Sequence, residues 1–209
     1  MAVKKTWSFK CPSCGNTCCV ENISVINAGV DPKEKAALFQ GVESFFGYTC
    51  KRCKKTVMLS EPILYHDDLH KVMIQYVGEN DEAGVQRFLD YYQHMKQAPG
   101  YQFRIVASQN EFYEKVKIFD AGLDDRYIEI LKLMTIVQCK EQIPNRKIEM
   151  AFFEPDKHSF VLHLDDNKWC NSPVSMESYE KLVCAYKNKP MHKAYIIDQS
   201  WALEAIKHL

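Results

Sequence analysis

Four cysteines, arranged as two C-x-x-C pairs, are the residues of this sequence whose spacing most directly indicates chemistry. The first pair lies in Cys-Pro-Ser-Cys-Gly at residues 11–15, and the second lies in Cys-Lys-Arg-Cys-Lys at residues 50–54. Two residues between paired thiolates let the chain curl around one ion, and two such pairs are typical of a tetrahedral four-cysteine zinc site. The spacing therefore predicts one structural Zn²⁺ bound by Cys11, Cys14, Cys50 and Cys53.

The gap between the pairs is unusually long for such a site. Cys14 and Cys50 are separated by 35 residues, whereas a minimal zinc ribbon has roughly 15–20. An inserted short helix accounts for the difference, because Asp31 is a favoured N-cap, Pro32 suits the first helical position and Gly41 can end a helix. The long gap is therefore compatible with a zinc site.

Three other interpretations of these thiols remain open: a redox C-x-x-C, an iron–sulfur cluster and inert buried thiols. A redox motif needs one pair at a helix N-terminus, whereas both pairs here are flanked by strand-like sequence at residues 6–10, 44–49 and 56–60. Cys18 and Cys19 follow the first pair on a strand, so one should face the core and the other should face away. We expect both to be ordinary small residues rather than metal ligands.

A four-thiolate site has a structural role rather than a catalytic one. All coordination positions are filled by protein, so the ion has no place for a reactive water. Zinc binding is worth on the order of 10–16 kcal/mol in small zinc-finger peptides. We therefore expect the N-terminal module to be loose or unfolded without its metal.

The second pair lies in a basic segment, Lys-Arg-Cys-Lys-Lys at residues 51–55. Four thiolates around one Zn²⁺ carry a charge of about −2, and nearby cations offset it. The same cations could instead contact phosphates. Residues 1–75 contain 10 Lys or Arg against 7 Asp or Glu, so the excess over this stretch is too small to establish nucleic-acid binding.

Composition excludes several classes of protein. The 209 residues include 27 Lys or Arg and 27 Asp or Glu, which excludes a strongly basic nucleic-acid coat, and 46% are hydrophobic, as in ordinary globular proteins. No apolar run approaches the roughly 18 residues of a membrane span, and no signal peptide is visible. The expected location is the reducing cytoplasm, where nine cysteines would stay free of disulfides.

The order of motifs resembles that of the CpXC proteins of bacteria and archaea, which are named for Cys-Pro-x-Cys. After the first pair come Ile-Ser-Val-Ile-Asn at 23–27, the second pair, and Pro-Ile-Leu-Tyr-His-Asp at 62–67. The resemblance is close over residues 6–77 and looser up to 129. It implies a zinc-ribbon-like N-terminal domain with the four cysteines as ligands, and it names no catalytic residue.

The second motif departs from that resemblance. It usually also reads Cys-Pro-x-Cys-Gly, but here Lys51 replaces the proline and Lys54 replaces the glycine. Lys54 is therefore expected to need either a positive φ, which is uncommon for a residue with a Cβ atom, or a different turn.

The rest of the chain predicts a mixture of helices and strands. Helices are predicted at 81–98, 108–119, 124–142, 175–188 and after Asp198, and strands at 101–107, 147–154, 159–165 and 193–197. The predicted fold class is α+β, with a zinc-ribbon-like domain at 1–78 that carries the inserted helix and a mixed α+β domain at 79–209. Helical acids such as Asp125 and Glu129 are expected on a solvated face.

Two further groups of side chains are weaker candidates for a site. Tyr-His-Asp-Asp at 65–68, with His70, could supply an acid–base pair or a second metal site. His66 and Asp67 are strand neighbours that face opposite ways, so the favoured interpretation is that Asp67 and Asp68 cap a following segment at residues 69–76. His163 and Asp165, with His158 nearby, could share a strand face. A solvent-facing strand is the favoured interpretation there.

Three functions compete. The leading hypothesis is a non-enzymatic zinc module that acts through a protein partner or self-association, which an exposed patch at Phe45, Phe46 and Tyr48 would support. The second is nucleic-acid binding through residues 51–55 and aromatic side chains such as Tyr48 and Trp7. The third is an enzyme whose site lies in the C-terminal domain. No membrane partner is expected.

Overall fold

The computed structural model describes residues 2–94, 99–186 and 194–207, and its fold is α+β as predicted. The chain divides into two compact units, Met1–Tyr113 and Glu114–Leu209. The predicted division into 1–78 and 79–209 stays a prediction about domain organisation. Its boundary lies inside the first compact unit.

Within its described residues, 2–94 and 99–113, the first unit has seven strands and four helices, the last of which continues into the second unit. In chain order they are β1 Val3–Lys10, β2 Thr17–Asn27, α1 Pro32–Leu38, α2 Val42–Phe46, β3 Gly47–Thr49, β4 Thr56–Met58, β5 Ile63–Asp67, β6 Val72–Tyr76, α3 Glu82–His94, β7 Gln102–Val106 and α4 Gln109–Asp120. The division between the units falls inside α4.

A five-stranded sheet forms the centre of this unit, in the order β1-β2-β5-β6-β7. The pairs β1–β2 and β5–β6 are antiparallel, whereas β2–β5 and β6–β7 are parallel. Its middle strands supply fully buried side chains such as Ile63, Tyr65 and Ile74. Burial of their apolar area anchors the long β1–β2 hairpin to the sheet through β2. A separate antiparallel pair, β3–β4, forms a small second sheet.

Two short helices, rather than the single predicted one, lie between the cysteine pairs. Pro32 occupies the first turn of α1 as expected. Asp31 makes no side-chain cap, because its carboxylate accepts the backbone N–H of Asn27 at 2.9 Å. The α1 helix ends at Leu38, so Gly41 is the residue before α2 rather than the end of α1.

The strand predicted over residues 44–49 is wrong for its first half. Residues 44–46 belong to α2, and only Gly47–Thr49 is a strand. Tertiary packing accounts for the difference, since Phe46 is buried with its ring against those of Tyr76 and Phe112. Gly47 allows the sharp change of direction, because a Cβ atom there would lie 2.3 Å from the carbonyl oxygen of Glu43.

The second unit combines a three-stranded antiparallel sheet with helices. Its elements are α5 Asp125–Gln142, β8 Ile148–Glu154, β9 Ser159–Leu164, β10 Trp169–Pro173, α6 Met176–Tyr186 and α7 Gln199–Lys207, with strand order β10-β9-β8. The predicted hairpin at 147–165 is confirmed, and β10 is an addition to it. The side chains of Asp124 and Asp198 accept helix N–H groups, as their sequence positions predict.

Some predicted elements end differently or fall on residues outside the described ranges. The strand predicted at 193–197 is wrong for 194–197, which contain no strand, and residue 193 lies outside the described part of the chain. The last residues of two predicted helices, 95–98 and 187–188, also lie outside it. In the described ranges, no helix has both the length and the apolar character that crossing a bilayer requires.

Asp125 and Glu129 are buried, which corrects the expectation of a solvated face. Lys115 Nζ lies 3.0 Å from Asp125, and Lys132 Nζ lies 2.8 Å from Glu114 and 3.0 Å from Glu129. Burial opposes the Lys132 charge, but the two carboxylates outweigh it and raise the pKa of Lys132 above its ordinary value. These acids therefore pair with lysines inside the core of the unit.

Candidate metal centre

The two C-x-x-C pairs occupy the same place in two different hairpins. Residues 11–16, the first knuckle, connect β1 to β2, and residues 50–55, the second knuckle, connect β3 to β4. Both hairpins are antiparallel, and the strand residues that flank each knuckle pair with one another. Each hairpin therefore presents its cysteine pair at its tip.

Both knuckles have the same backbone hydrogen bonds. In the first, the N–H of Cys11 donates to Asn16 at 2.8 Å and the N–H of Gly15 donates to Cys11 at 2.8 Å. In the second, the N–H of Cys50 donates to Lys55 at 2.9 Å, and that of Lys54 donates to Cys50 at 2.9 Å. This turn curls each pair of thiols toward one point.

The turn requires a left-handed backbone conformation at one residue of each knuckle. Gly15 has φ of 68° and Lys54 has φ of 62°. Of the two alternatives expected for Lys54, the structure therefore has the positive φ. For a residue with a Cβ atom this conformation costs roughly 1–2 kcal/mol.

The structure brings the four predicted sulfurs together. The Sγ atoms of Cys11, Cys14, Cys50 and Cys53 all lie within 4.8 Å of one another, and this group could hold a metal ion. Across the two knuckles, Cys11 Sγ lies 3.7 Å from Cys53 Sγ, and Cys14 Sγ lies 3.8 Å from Cys50 Sγ. Each sulfur of one hairpin thus has a close neighbour from the other hairpin.

The cluster is largely shielded from water. Cys11 and Cys50 are buried, and Phe9, Tyr48 and Val57 pack around them. The rings of Phe9 on β1 and Tyr48 on β3 meet edge to face, with centroids 5.5 Å apart. The hairpins are therefore joined by an aromatic contact as well as by the sulfur cluster.

The backbone favours a thiolate at Cys50. The N–H groups of Cys53 and Arg52 hydrogen-bond to its sulfur and, despite burial, lower the pKa of Cys50 to about 6. The N–H of Asn16 acts in the same direction on Cys14, but burial and the neighbouring sulfurs outweigh it and raise the pKa of Cys14 to about 11. Since close sulfurs disfavour multiple negative charges, a bound cation would stabilise all four as thiolates.

A comparison with known protein families identifies the family of this chain. The family model described as "CpXC protein" matches residues 9–132, which include both knuckles and more than half of the sequence. The chain belongs to the CpXC family. Comparisons with curated proteins and with solved structures gave no match.

The CpXC chain has a fifth thiol beside the cluster. Cys18 is buried, and its Sγ lies 3.8 Å from Cys50 Sγ and 3.6 Å from the carbonyl oxygen of Asn16. Burial raises the pKa of Cys18, so it stays a thiol and donates a hydrogen bond. Cys19 is exposed, as strand alternation predicts for one of the two. The alternation alone did not reveal the contact with Cys50.

His66 and Asp67 of the CpXC chain make separate sets of contacts. His66 Nε2 lies 2.9 Å from Tyr101 Oη, and its Nδ1 lies 3.3 Å from Asn27. Asp67 accepts the N–H of His70 at 3.2 Å and lies 2.9 Å from the Nδ1 of the same residue. The structure therefore does not pair His66 with Asp67. Asp67 accepts the N–H groups of Leu69 and His70 at the start of the predicted segment, but this segment is a short turn followed by strand β6.

The C-terminal histidines do not converge with Asp165 either. His163 lies against the ring of Trp169 at 4.4 Å, with its Nδ1 3.3 Å from Glu149. Asp165, beyond the end of β9, lies 3.6 Å from Arg146 instead. His158 is exposed and ends a 3-10 turn with φ of 44°. The described contacts thus assign these groups to separate partners.

The aromatic patch that would favour a protein partner is not exposed. Phe46 is buried, while Phe45 and Tyr48 are partly buried and packed against neighbouring rings. The cations of the second knuckle contrast with it: Lys51, Arg52, Lys54 and Lys55 are all exposed. The surface near the metal centre is therefore basic rather than apolar.

Proposed function

We propose that Cys11, Cys14, Cys50 and Cys53 bind one structural Zn²⁺, which fixes the two hairpins of the CpXC chain in one arrangement. The sulfur–sulfur distances carry this proposal. A tetrahedral ion with Zn–S bonds of about 2.3 Å separates its sulfurs by roughly 3.8 Å. The distances of 3.7 and 3.8 Å between the knuckles agree with that value.

A single ion suits this site better than an iron–sulfur cluster. A cluster distributes its thiolates over two or more iron atoms, which spreads the sulfurs apart. Here all four sulfurs fall within 4.8 Å of one another. Among single ions, zinc suits four thiolates because it needs no particular d-electron geometry and has no redox change.

The proposed role of the ion is to hold the second hairpin in place. Strands β3 and β4 have three residues each, and an isolated two-stranded hairpin is at best marginally stable in water. The first hairpin has independent support, because β2 pairs with β5 of the central sheet. The binding free energy of zinc would therefore be used mainly to order the β3–β4 hairpin.

The proposed cellular role is that of an interaction module, in which the zinc presents the knuckle surface to a partner. Four protein thiolates leave the ion no open position for chemistry, which favours binding over catalysis as the role of this site. The cytoplasm is the proposed location, since all nine cysteines are free and a reducing compartment keeps them so.

Elemental analysis of the purified chain tests the zinc proposal. We expect about one equivalent of zinc and little iron in the wild-type protein. Cys11→Ser and Cys50→Ser should each reduce zinc below half an equivalent, whereas Cys184→Ser, at an exposed position in the second unit, should retain it. Iron in place of zinc, or full zinc in both knuckle variants, would refute the proposal.

A further inference from the structure

Positive charge is concentrated in β1, β3, β4 and the two knuckles. We call residues 2–20 and 47–60 the basic ribbon; they contain seven Lys or Arg and no Asp or Glu. The first range ends just before Glu21 of β2, whose carboxylate lies 3.7 Å from Lys4 Nζ. The other parts of the chain contain 20 Lys or Arg and all 27 Asp or Glu. The zero net charge of the whole chain therefore conceals a strong separation of charge, which indicates an anionic partner for the ribbon.

Most of this charge lies next to the proposed zinc. Lys51, Arg52, Lys54 and Lys55 belong to the second knuckle, and Lys10 directly precedes the first. All five are exposed, and none makes an ion pair within the described part of the chain. A four-thiolate zinc site carries about −2, so two of these cations would offset it. The remaining three are in excess of what that site needs.

One of these cations occupies a strained position. Lys54 has the positive φ that glycine adopts in the equivalent place of the first knuckle. Backbone strain of this kind persists where the surrounding structure over-determines it, and it often marks functional positions. A lysine at this position increases the charge at the tip of the hairpin at the expense of local stability.

The ribbon also has an exposed aromatic ring. Trp7 on β1 is 38% exposed, and it shares a strand face with Phe9, two residues further on. Phe9 contacts Tyr48 of the second hairpin, so this face of β1 is the one on which the second hairpin packs. An exposed indole beside a cationic surface can stack on a nucleobase.

We propose that the basic ribbon binds single-stranded nucleic acid, with phosphates on the knuckle cations and a base stacked on Trp7. This deepens the proposed function and rests on it, because the zinc would hold the two hairpins together. A base offers its face for stacking when it is unpaired, which favours a single strand over a duplex.

Fluorescence anisotropy with a fluorescein-labelled 15-mer of deoxythymidine tests this on the full, zinc-loaded chain. Binding should weaken as salt increases, with a slope of log K against log salt concentration of about −2 to −3.5. Each phosphate contact on a single strand contributes roughly −0.7 to this slope, so the range corresponds to three to five contacts. No binding at about 50 µM protein in low salt would overturn the inference. Equal affinity for a 15-base-pair duplex, or equally effective competition by polyglutamate, would also overturn it.

Matched variants locate the binding surface. The triple change Lys51→Gln, Arg52→Gln and Lys55→Gln should weaken binding at least tenfold and reduce the salt slope by about 2. The control triple Lys140→Gln, Lys147→Gln and Lys157→Gln removes the same charge at exposed positions of the second unit and should leave binding unchanged. Equal effects of the two triples would contradict the proposal.

Two tryptophan variants test the proposed stacking of a base on Trp7. Trp7→Ala should weaken binding roughly tenfold, whereas Trp169→Ala, which removes a more exposed ring in the second unit, should have no effect. Zinc content is measured on every sample. Zinc-loaded protein that fails to bind refutes this inference alone, whereas a wild-type chain without zinc refutes the proposed function.

Discussion

The two knuckles share one backbone geometry but differ in sequence and in support. Each has the same two hydrogen bonds and one residue at positive φ. The first uses Gly15 at that position, and its hairpin is anchored to the central sheet through β2. The second uses Lys54, and its strands are three residues long. The second knuckle therefore combines a less favourable sequence with a weaker scaffold.

A comparison of two free energies explains how the second knuckle tolerates a lysine at positive φ. A lysine at positive φ costs roughly 1–2 kcal/mol, whereas zinc binding contributes on the order of 10–16 kcal/mol in small zinc peptides. If the proposed zinc is bound, the conformational cost of Lys54 has little effect on whether the second hairpin forms. The metal would then leave the second knuckle free to carry four cations where the first carries a proline, a glycine and two uncharged polar residues.

Metal removal should produce the largest difference between the hairpins. After chelation, we expect the amides of residues 47–58 to lose nearly all protection from hydrogen exchange, because the β3–β4 hairpin has little sheet support. Strands β5 and β6 should retain theirs, and β2 should lose protection mainly near Thr17. Hydrogen exchange with mass spectrometry measures this, and equal loss in both hairpins would remove the distinction between them.

Substitutions at the two knuckle residues with positive φ should have smaller effects than metal removal, and they should change the free energy of unfolding in opposite directions. Gly15→Lys should lower the free energy of unfolding by about 1 kcal/mol, because a residue with a Cβ atom is strained in the left-handed region. The strain comes from the backbone conformation and not from a neighbour, since no side-chain or backbone atom beyond the adjacent residues lies within 4 Å of a Cβ placed there. Lys54→Gly should raise it by up to about 1 kcal/mol. Urea unfolding of the metal-loaded variants measures both changes, and changes of the same sign would contradict this account of the turns.

The fifth thiol should have the smallest effect. Cys18→Ala removes one buried sulfur and its hydrogen bond to Cys50, which should cost about 1 kcal/mol or less. Metal content should stay at one equivalent, because the four remaining thiols complete the site. Loss of metal from Cys18→Ala, with Cys19→Ala unaffected, would show that Cys18 is a ligand.

The convergence of the four cysteines could be predicted from the sequence because much of the information that specifies it is local. Two residues between paired cysteines, and a glycine after the first pair, specify the knuckle turn without any knowledge of distant residues. The same applies to Asp124 and Asp198, whose side chains accept N–H groups of the helices that follow them. The replacement of the motif's usual glycine by Lys54 likewise indicated either a positive φ or a different turn, and the structure has the positive φ.

The features that the sequence did not predict depend on distant contacts. Residues 44–46 have strand-like composition, but the packing of Phe46 on Tyr76 and Phe112 makes them helical. Asp125 and Glu129 look like surface acids on their helix, and the lysines that pair with them are revealed only by the packing of the unit. Likewise, strand alternation could not show which of Cys18 and Cys19 faces Cys50.

X-ray absorption at the zinc edge of the purified wild-type chain gives the sharpest test of coordination by the four cysteines. We expect one zinc per chain with four sulfur neighbours at about 2.3 Å and no nitrogen or oxygen neighbour. A zinc shell with fewer than four sulfurs, or a chain that contains less than half an equivalent of zinc, would contradict this expectation.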